Sequence, residues 1–253
     1  NRKAGGKSSG VGLSECGSCG DASCGSSETA KGAVNSDKKY DGIFFDLDGT
    51  LVDTCPDLVK TVQYIIKKYQ FEEKPNEFIR GCIGGGARNI LLRALGTDKS
   101  ALIDSELLPL FSEYYTAHCA DTSKVYPGVV DILDYYQQCN KRLAVATFKI
   151  RSATEKIFQK FDLMKYFDMI VTADDVDNPK PEPDCVLKIL DFYGCSKTEA
   201  ILVGDTKTDY LTGRNAGIDV CMVTYGYGEK STLQNFIPLY LIDDITEIKS
   251  VIK

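Results

Sequence analysis

Residues 42–54 read GIFFDLDGTLVDT, a short apolar run followed at once by two closely spaced carboxylates. The apolar run is typical of a buried strand. Because side chains alternate along an extended chain, Asp46 and Asp48 can face the same way, and the chain can turn at Gly49. The segment therefore predicts a strand that delivers two acidic side chains at its C-terminal end.

The rest of the chain separates into two patterns. Residues 54–125 show helical signals and little strand signal, with helices predicted at 87–95 and 100–119 and a first helix capped by Thr54. After Pro127, helices and strands alternate. Helices are predicted at 128–139, 152–160, 183–193 and 208–216, and strands at 143–147, 169–172, 200–203 and 219–223. Such alternation implies a parallel sheet with its site at the carboxyl ends of the strands.

These patterns predict an α/β protein with a doubly wound parallel-sheet (Rossmann-like) core and an inserted α-helical cap domain. The core is expected to comprise residues 40–53 and 126–253, and the cap residues 54–125. Residues 1–39 are rich in Gly, Ser, Lys and Ala with few large apolar side chains, so we expect a disordered tail. The tail carries Cys16, Cys19 and Cys24, whose spacing invites a zinc or iron–sulfur interpretation, but a fourth ligand is not evident nearby.

Composition limits the classes of function. A net charge of -6 over 253 residues argues against a broad nucleic-acid surface. No apolar run approaches the length that spans a bilayer, so we expect no membrane partner. Seven of the ten cysteines are scattered without framework spacing, which favours a cytoplasmic location. The choice between monomer and homodimer stays open.

Polar residues follow several of the predicted strands and should converge on one crevice. They are Asp46 and Asp48, Thr147, Lys180, and Asp205 and Asp209. Close carboxylates need a countercharge, and a hard divalent cation with oxygen ligands would supply it. We expect Mg²⁺, held by Asp46, Asp205 and a backbone carbonyl, with water and a substrate phosphate completing its coordination. Lys180 adds a second positive charge, and Thr147 offers a hydroxyl to a phosphoryl oxygen.

This set of residues suits phosphoryl transfer. The reaction requires neutralisation of the phosphoryl oxygens and an in-line nucleophile, which is mainly electrostatic work. One carboxylate can attack phosphorus and form an aspartyl-phosphate. The second can protonate the departing oxygen and later take a proton from the attacking water.

The same residues resemble the four motifs of haloacid dehalogenase superfamily phosphatases. The matching segments lie in the family's order and cover about residues 40–253; they are 46–54, Thr147, 180–184 and 203–209. The resemblance implies that Asp46 is the nucleophile and Asp48 the acid/base. It implies metal ligands at Asp46, Asp48, Asp205 and Asp209. Catalytic roles are also expected for Thr147 and Lys180, and substrate contacts for Gly49, Thr50, Thr147, Phe148 and Lys180.

Asp209 has three open roles: metal ligand, partner that orients the lysine, or simple stabiliser of a helix N-terminus. Gly84–Gly86 is either a flexible turn or a loop whose amides, with Arg80 or Arg88, approach the substrate. His118, the only histidine, is expected to have a core or surface role.

The insertion and the segments 84–95 and 224–228 are similar to those of phosphoglycolate phosphatases, which makes 2-phosphoglycolate the favoured substrate. One departure is Phe148, because that subfamily usually has Asn there. A hexose-phosphate mutase of the β-phosphoglucomutase type, a pyrophosphatase or a nucleotide phosphatase would use the same fold. An alternative from a different class of function, an inactive interaction module, also stays open, although a pure binding role would not require these acidic residues.

Overall fold

Six parallel strands form the central sheet of the computed structural model, which describes residues 39–238 and 240–252. The spatial order is β5-β4-β1-β6-β7-β8. The strands are β1 (Gly42–Phe45), β4 (Arg142–Ala146), β5 (Met169–Val171), β6 (Ala200–Gly204), β7 (Asp219–Val223) and β8 (Tyr240–Ile242). The order reverses on either side of β1, so the site of this sheet is expected where β1 meets its neighbours β4 and β6.

Helices cover both faces of the sheet, as a doubly wound fold requires. Ile43 and Phe45 belong to the same core cluster as Phe158, whereas Phe44 belongs to a second cluster with Ile189 and Leu202. Alternate side chains of β1 are therefore buried on opposite faces, which explains why its sequence is apolar throughout. The helices of this part are α6 (Val129–Gln138), α7 (Arg151–Lys160), α8 (Asp184–Tyr193), α9 (Lys207–Ala216), α10 (Lys230–Leu233) and α11 (Ile248–Val251). The doubly wound α/β fold is confirmed.

A run of helices leaves the sheet after β1 and returns before α6. Its ends are joined by a small antiparallel ladder of β2 (Val52–Asp53) with β3 (Lys124–Val125). The helices between them are α1 (Cys55–Lys68), α2 (Asn76–Gly81), α3 (Ala87–Leu95), α4 (Ser100–Leu102), a π-helical stretch (Ile103–Leu107) and α5 (Leu108–His118). We call residues 55–118 the inserted helical segment. The division into core and cap domains stays a prediction.

Most predicted elements lie within one or two residues of the observed ones, but the short elements α2, α10, α11, β2 and β3 were not predicted individually, and three further details differ. Thr54 precedes α1, but its side chain makes no capping bond to that helix, so the predicted cap is wrong. The helix predicted at 100–119 changes to π geometry in its middle. Strand β8 was not predicted, because only three residues, Tyr240–Ile242, carry its signal. Cys16, Cys19, Cys24 and the predicted tail lie outside the described residues, apart from Lys39.

Within the described ranges, every helix is too short or too polar to cross a bilayer.

Candidate active site

Acidic side chains meet at the carboxyl edge of the sheet. Asp46 follows β1, Asp205 follows β6, and Asp209 lies in the first turn of α9. Each offers a carboxylate oxygen, and these three oxygens lie within 4.8 Å of one another in buried positions. The strand order explains this convergence, since β1 and β6 are hydrogen-bonded neighbours that end at the same level. The three carboxylates therefore form a group that a small cation could join.

Lys180 places its ammonium group between two of these carboxylates. Its Nζ lies 2.9 Å from Asp46 Oδ1 and 2.7 Å from Asp209 Oδ1. Asp209 uses its other oxygen to accept hydrogen bonds from the backbone N–H and the hydroxyl of Thr206, which caps α9. Asp209 thus both orients the lysine and stabilises a helix N-terminus, and its direct metal contact stays a prediction.

Burial and the neighbouring charges shift the pKa values of these groups. The pKa of Asp46 is raised from its usual value to about 7: burial has the largest effect, Lys180 acts in the opposite direction, and Asp209 and Asp48 act in the same direction as burial. Burial, followed by Asp209 and Asp46, raises the pKa of Asp205 well above its usual value. Burial favours the neutral form of Lys180, but Asp209 and Asp46 outweigh it and raise the pKa of the lysine. When all three carboxylates are ionised, their negative charge exceeds what one ammonium group can balance, and a divalent cation would supply the missing positive charge.

Asp205 is enclosed by two segments. The hydroxyl of Thr50 donates to its Oδ1 at 3.3 Å, and the backbone N–H of Tyr227 donates to its Oδ2 at 2.6 Å. A side chain at Gly49 or at Gly226 would overlap the Asp205 side chain, so both positions require glycine for this close approach. Gly49 and Thr50 thus support Asp205, and their predicted contact with substrate stays a prediction.

Asp48 lies beside this group and has partners of its own. Its Oδ1 accepts a hydrogen bond from the Thr54 hydroxyl at 2.5 Å and lies 2.9 Å from the Nζ of Lys149. The Nζ of Lys149 also lies 2.7 Å from the hydroxyl oxygen of Tyr115 on α5. The predicted acid/base is therefore held by a lysine, while its predicted role as a metal ligand is untested.

Tyr227 joins the site to the start of the inserted helical segment. Its hydroxyl oxygen accepts hydrogen bonds from the backbone N–H of Thr54 at 2.6 Å and of Cys55 at 2.9 Å. Sequence reasoning gave no role to Tyr227, Tyr115 or Lys149. Tyr227 stands in the segment 224–228, whose similarity to the subfamily was the available signal; Lys149 directly follows Phe148, where the chain departs from the subfamily, and Tyr115 had no signal.

A cavity of about 520 Å³ opens over the carboxylates. Its lining includes Asp46, Asp48, Thr147, Phe148 and Lys180. The inserted helical segment supplies a mainly apolar wall, formed by Leu58, Ile83, Ile90, Leu108, Phe111 and Tyr115. The site can therefore enclose a small substrate whose phosphoryl end reaches the acidic group.

The glycines of the inserted helical segment also line this cavity. Gly86 has a positive φ of 86°, and a side chain there would overlap the Phe148 ring, so the loop and the ring pack closely. Arg88 lines the cavity but pairs with Asp104 through its Nε at 2.6 Å. Arg80 instead lines a separate groove on the inserted helical segment. Of the two arginines considered for substrate contact, the structure places only Arg88 at the cavity.

Two other predicted residues have clear positions. Thr147 is 3% exposed and its Oγ1 accepts a hydrogen bond from the backbone N–H of Lys149 at 3.2 Å. His118 has a side chain that is 45% exposed, lies tilted against the Tyr114 ring and pairs with Asp121 through Nδ1 at 2.8 Å. Of the core or surface role expected of it, His118 thus has the partly exposed one.

Fold and site together define a hydrolase of the phosphoryl-transfer type. The chain belongs to the haloacid dehalogenase-like hydrolase family, whose model matches residues 43–223. It is 33% identical over 211 residues to phosphoglycolate phosphatase 1 of Pseudomonas aeruginosa, covering 81% of this chain and 77% of that protein. It is 34% identical over 191 residues to a phosphoglycolate phosphatase of Nitrosospira multiformis, covering 74% and 84% of the two chains.

Two solved structures have a similar fold together with detectable sequence identity. A haloacid dehalogenase-like family hydrolase from Streptococcus pneumoniae has a TM-score of 0.74 at 27% identity, covering 83% of this chain and 97% of that one. A protein of Haemophilus somnus, described as a predicted phosphoglycolate phosphatase, has a TM-score of 0.76 at 25% identity, with 84% and 97% covered. The chain is therefore an enzyme, a phosphatase of this family, and the alternative of an inactive interaction module is set aside.

Proposed function

We propose that this phosphatase hydrolyses 2-phosphoglycolate, or a phosphomonoester of similar size, through an aspartyl-phosphate on Asp46 with Mg²⁺ bound beside it. The observation that carries the proposal is the position of Asp46. Its carboxylate contacts Lys180 and shares the acidic group with Asp205 and Asp209, and the residue lines the cavity.

The balance of charges in the site supports the binding of a divalent cation. Four carboxylates, those of Asp46, Asp48, Asp205 and Asp209, stand against the ammonium groups of Lys149 and Lys180. When all are ionised, two negative charges are left over, and a phosphomonoester dianion would add two more. Mg²⁺, held by Asp46 and Asp205 with Asp209 nearby, would offset the charge of the incoming phosphate and polarise its oxygens when bound.

The residues of this chain suit a two-step reaction. In the first step, a carboxylate oxygen of Asp46 attacks phosphorus, the bond from phosphorus to the alcohol oxygen breaks, and Asp48 gives that oxygen a proton. In the second step, water attacks the aspartyl-phosphate and loses a proton to Asp48, which releases inorganic phosphate and restores Asp46. Lys180 and the Thr147 hydroxyl are the proposed partners of the phosphoryl oxygens.

The choice of substrate is supported by the relatives and by the cavity. The relatives from Pseudomonas aeruginosa and Nitrosospira multiformis are phosphoglycolate phosphatases by name. The Phe148 ring packs against the Gly86 loop, so this wall favours a small leaving group. A cytoplasmic location belongs to the same proposal and is supported by the seven cysteines of the described residues, which are all free.

A panel of phosphate esters tests the substrate. We expect the highest kcat/KM for 2-phosphoglycolate against β-glucose 1-phosphate, pyrophosphate and nucleoside monophosphates, and loss of turnover when EDTA replaces Mg²⁺. A tenfold higher kcat/KM for another member, about 1.4 kcal/mol in transition-state stabilisation, would overturn the substrate.

The nucleophile needs a separate test. Acid-quenched enzyme from a reaction with labelled substrate should carry phosphate on Asp46 by peptide mass spectrometry, and Asp46→Asn should carry none and show no turnover. Label on another side chain would refute the aspartyl-phosphate at Asp46 while leaving the substrate open.

A further inference from the structure

Lys149 connects the site to α5. Its side chain lies in the loop after β4, where it is 7% exposed as a residue. Its Nζ makes two short contacts, at 2.9 Å to Asp48 Oδ1 and at 2.7 Å to the hydroxyl oxygen of Tyr115. The same Nζ lies 4.4 Å from the centre of the Tyr115 ring. The lysine is therefore held by one group from the sheet edge and one from the inserted helical segment.

The positive charge of Lys149 is paired with the Asp48 carboxylate. Burial favours the neutral amine, but Asp48 and Tyr115 outweigh it and raise the pKa of the lysine, so the ammonium form persists. The other contact of the Asp48 carboxylate is the Thr54 hydroxyl, which approaches the same oxygen. Both donors hold Oδ1, which fixes the direction in which the carboxylate faces the cavity.

The two contacts of Lys149 come from parts of the chain that are far apart in sequence. Asp48 follows β1, whereas Tyr115 lies on α5, 34 residues before Lys149. All three side chains line the cavity. The position of the ammonium group, and with it the orientation of Asp48, therefore depends on where α5 lies over the site.

We propose that Lys149 and Tyr115 are positioning residues that hold the Asp48 carboxylate for proton transfer to the leaving group when the inserted helical segment covers the site. The inference rests on the proposed function, because it takes Asp48 to be the acid/base. It adds a link between the inserted helical segment and a chemical step, and both residues act through Asp48.

The leaving group provides a readout that a purely structural role would not produce. An alkoxide is a strong base and needs a proton as it departs, whereas p-nitrophenolate is a weak base and departs without one. The parameter kcat/KM reports the steps up to the first bond cleavage, so later hydrolysis of the aspartyl-phosphate does not enter it. A misplaced Asp48 should therefore slow the alkyl ester and spare the aryl ester.

The experiment compares 2-phosphoglycolate with p-nitrophenyl phosphate in saturating Mg²⁺. We expect Tyr115→Phe and Lys149→Met to lower kcat/KM for 2-phosphoglycolate by about 10-fold to 10²-fold, the range for a misplaced catalytic group. The value for p-nitrophenyl phosphate should change by less than about threefold, since its cleavage needs no proton from Asp48. Tyr114→Phe is the matched control, because it removes a hydroxyl from the same helix at a ring that stacks on Tyr64 instead.

The outcomes separate this inference from the proposed function. Equal losses on both esters, or no loss on either, would overturn the positioning role while leaving the phosphatase assignment intact. Failure of the wild-type enzyme on 2-phosphoglycolate would refute the proposed substrate; the alkyl phosphate it turns over fastest then replaces it in the comparison. Thermal unfolding of each variant tests whether the fold persists. If Lys149→Met does not fold, Tyr115→Phe, which keeps the buried ring, tests the positioning role alone.

Discussion

Asp46→Asn should stabilise the fold in the absence of a divalent cation while abolishing turnover. Asp46 is 7% exposed, and its carboxylate shares the acidic group with Asp205 and Asp209. The single ammonium group of Lys180 contacts two of these three carboxylates. Asparagine keeps the shape of the side chain and an oxygen that can accept the hydrogen bond from Lys180, yet it removes one buried negative charge.

The magnitude follows from the pKa of Asp46, which burial raises from 3.8 to about 7. Each pKa unit corresponds to about 1.4 kcal/mol, so keeping this carboxylate ionised in the folded state costs at most about 4 kcal/mol above pH 7. Asp46→Asn removes this cost, but the net stabilisation is smaller because a neutral oxygen binds the ammonium group of Lys180 less strongly. We therefore expect the free energy of unfolding to rise by about 2 to 4 kcal/mol at pH 8.

The sign of the pH dependence is fixed by the same shift. A carboxyl group whose pKa is raised on folding favours the folded state at low pH, and this contribution is lost as the pH rises from about 4 through 7. The advantage of Asp46→Asn should therefore be full at pH 8, smaller at pH 5 and absent below about pH 4.

Thermal unfolding in EDTA at pH 8, 6.5 and 5 measures this effect. For a chain of this size, each kcal/mol added to the free energy of unfolding raises Tm by about 2 to 4 °C. Tm should therefore rise by roughly 5 to 15 °C at pH 8. Mg²⁺ should narrow the gap, because the proposed metal site is formed by the wild-type carboxylates. Asp191→Asn, at an exposed site on α8, is the control and should leave Tm nearly unchanged. A lower Tm for Asp46→Asn in EDTA, or a gap that does not shrink towards pH 5, would refute the reasoning.

Three further changes test other parts of the molecule. Asp57→Ala should cost about 3 kcal/mol in urea unfolding at pH 7, because the buried carboxylate accepts bonds from the N–H groups and hydroxyls of Thr122 and Ser123. Burial opposes its charge, but these bonds outweigh burial and lower its pKa, so the deficit should shrink as the pH falls below about 4; a constant deficit would contradict this. Gly226→Ala should weaken Mg²⁺ about 10-fold or more in titrations of activity, since the added methyl group overlaps Asp205; an unchanged midpoint would count against that role. Phe158→Ala should cost about 3 to 5 kcal/mol in urea because the ring is fully buried, and a loss below about 1 kcal/mol would show that the core refills the space.

The sequence predicted the sheet and the main acidic groups because their signals are local. An apolar run such as Gly42–Phe45 is buried on both faces, and the carboxylate that follows it must lie at the edge of the sheet. The strand at Asp219–Val223 was predicted with its observed bounds for the same reason. Strand β8 has only three residues, so its pairing with β7 depends on tertiary contacts that a short pattern does not reveal.

The partners of the acidic groups could not be predicted in this way. Thr54 has the residue type of a helix cap, but its hydroxyl donates to Asp48 instead. The bond from the Thr54 N–H to the Tyr227 hydroxyl oxygen spans 173 positions, and that from Lys149 to Tyr115 spans 34. Propensity describes the conformation of a residue and not the distant group that the fold brings to it. These contacts required the three-dimensional arrangement.

The cations near the cavity explain why phosphate and metal should bind together. Among the described residues that line it, Lys149 pairs with Asp48, Lys180 with Asp46 and Asp209, and Arg88 with Asp104. A phosphate dianion that enters alone therefore meets ammonium groups already balanced by carboxylates and a surplus of negative charge. A divalent cation removes that surplus, and the phosphate then supplies oxygen ligands that the three carboxylates leave open. Because coupling between two ligands is reciprocal, each should raise the affinity of the other. The excess of buried carboxylates destabilises the empty site, and we expect that same excess to make substrate binding depend on a divalent cation.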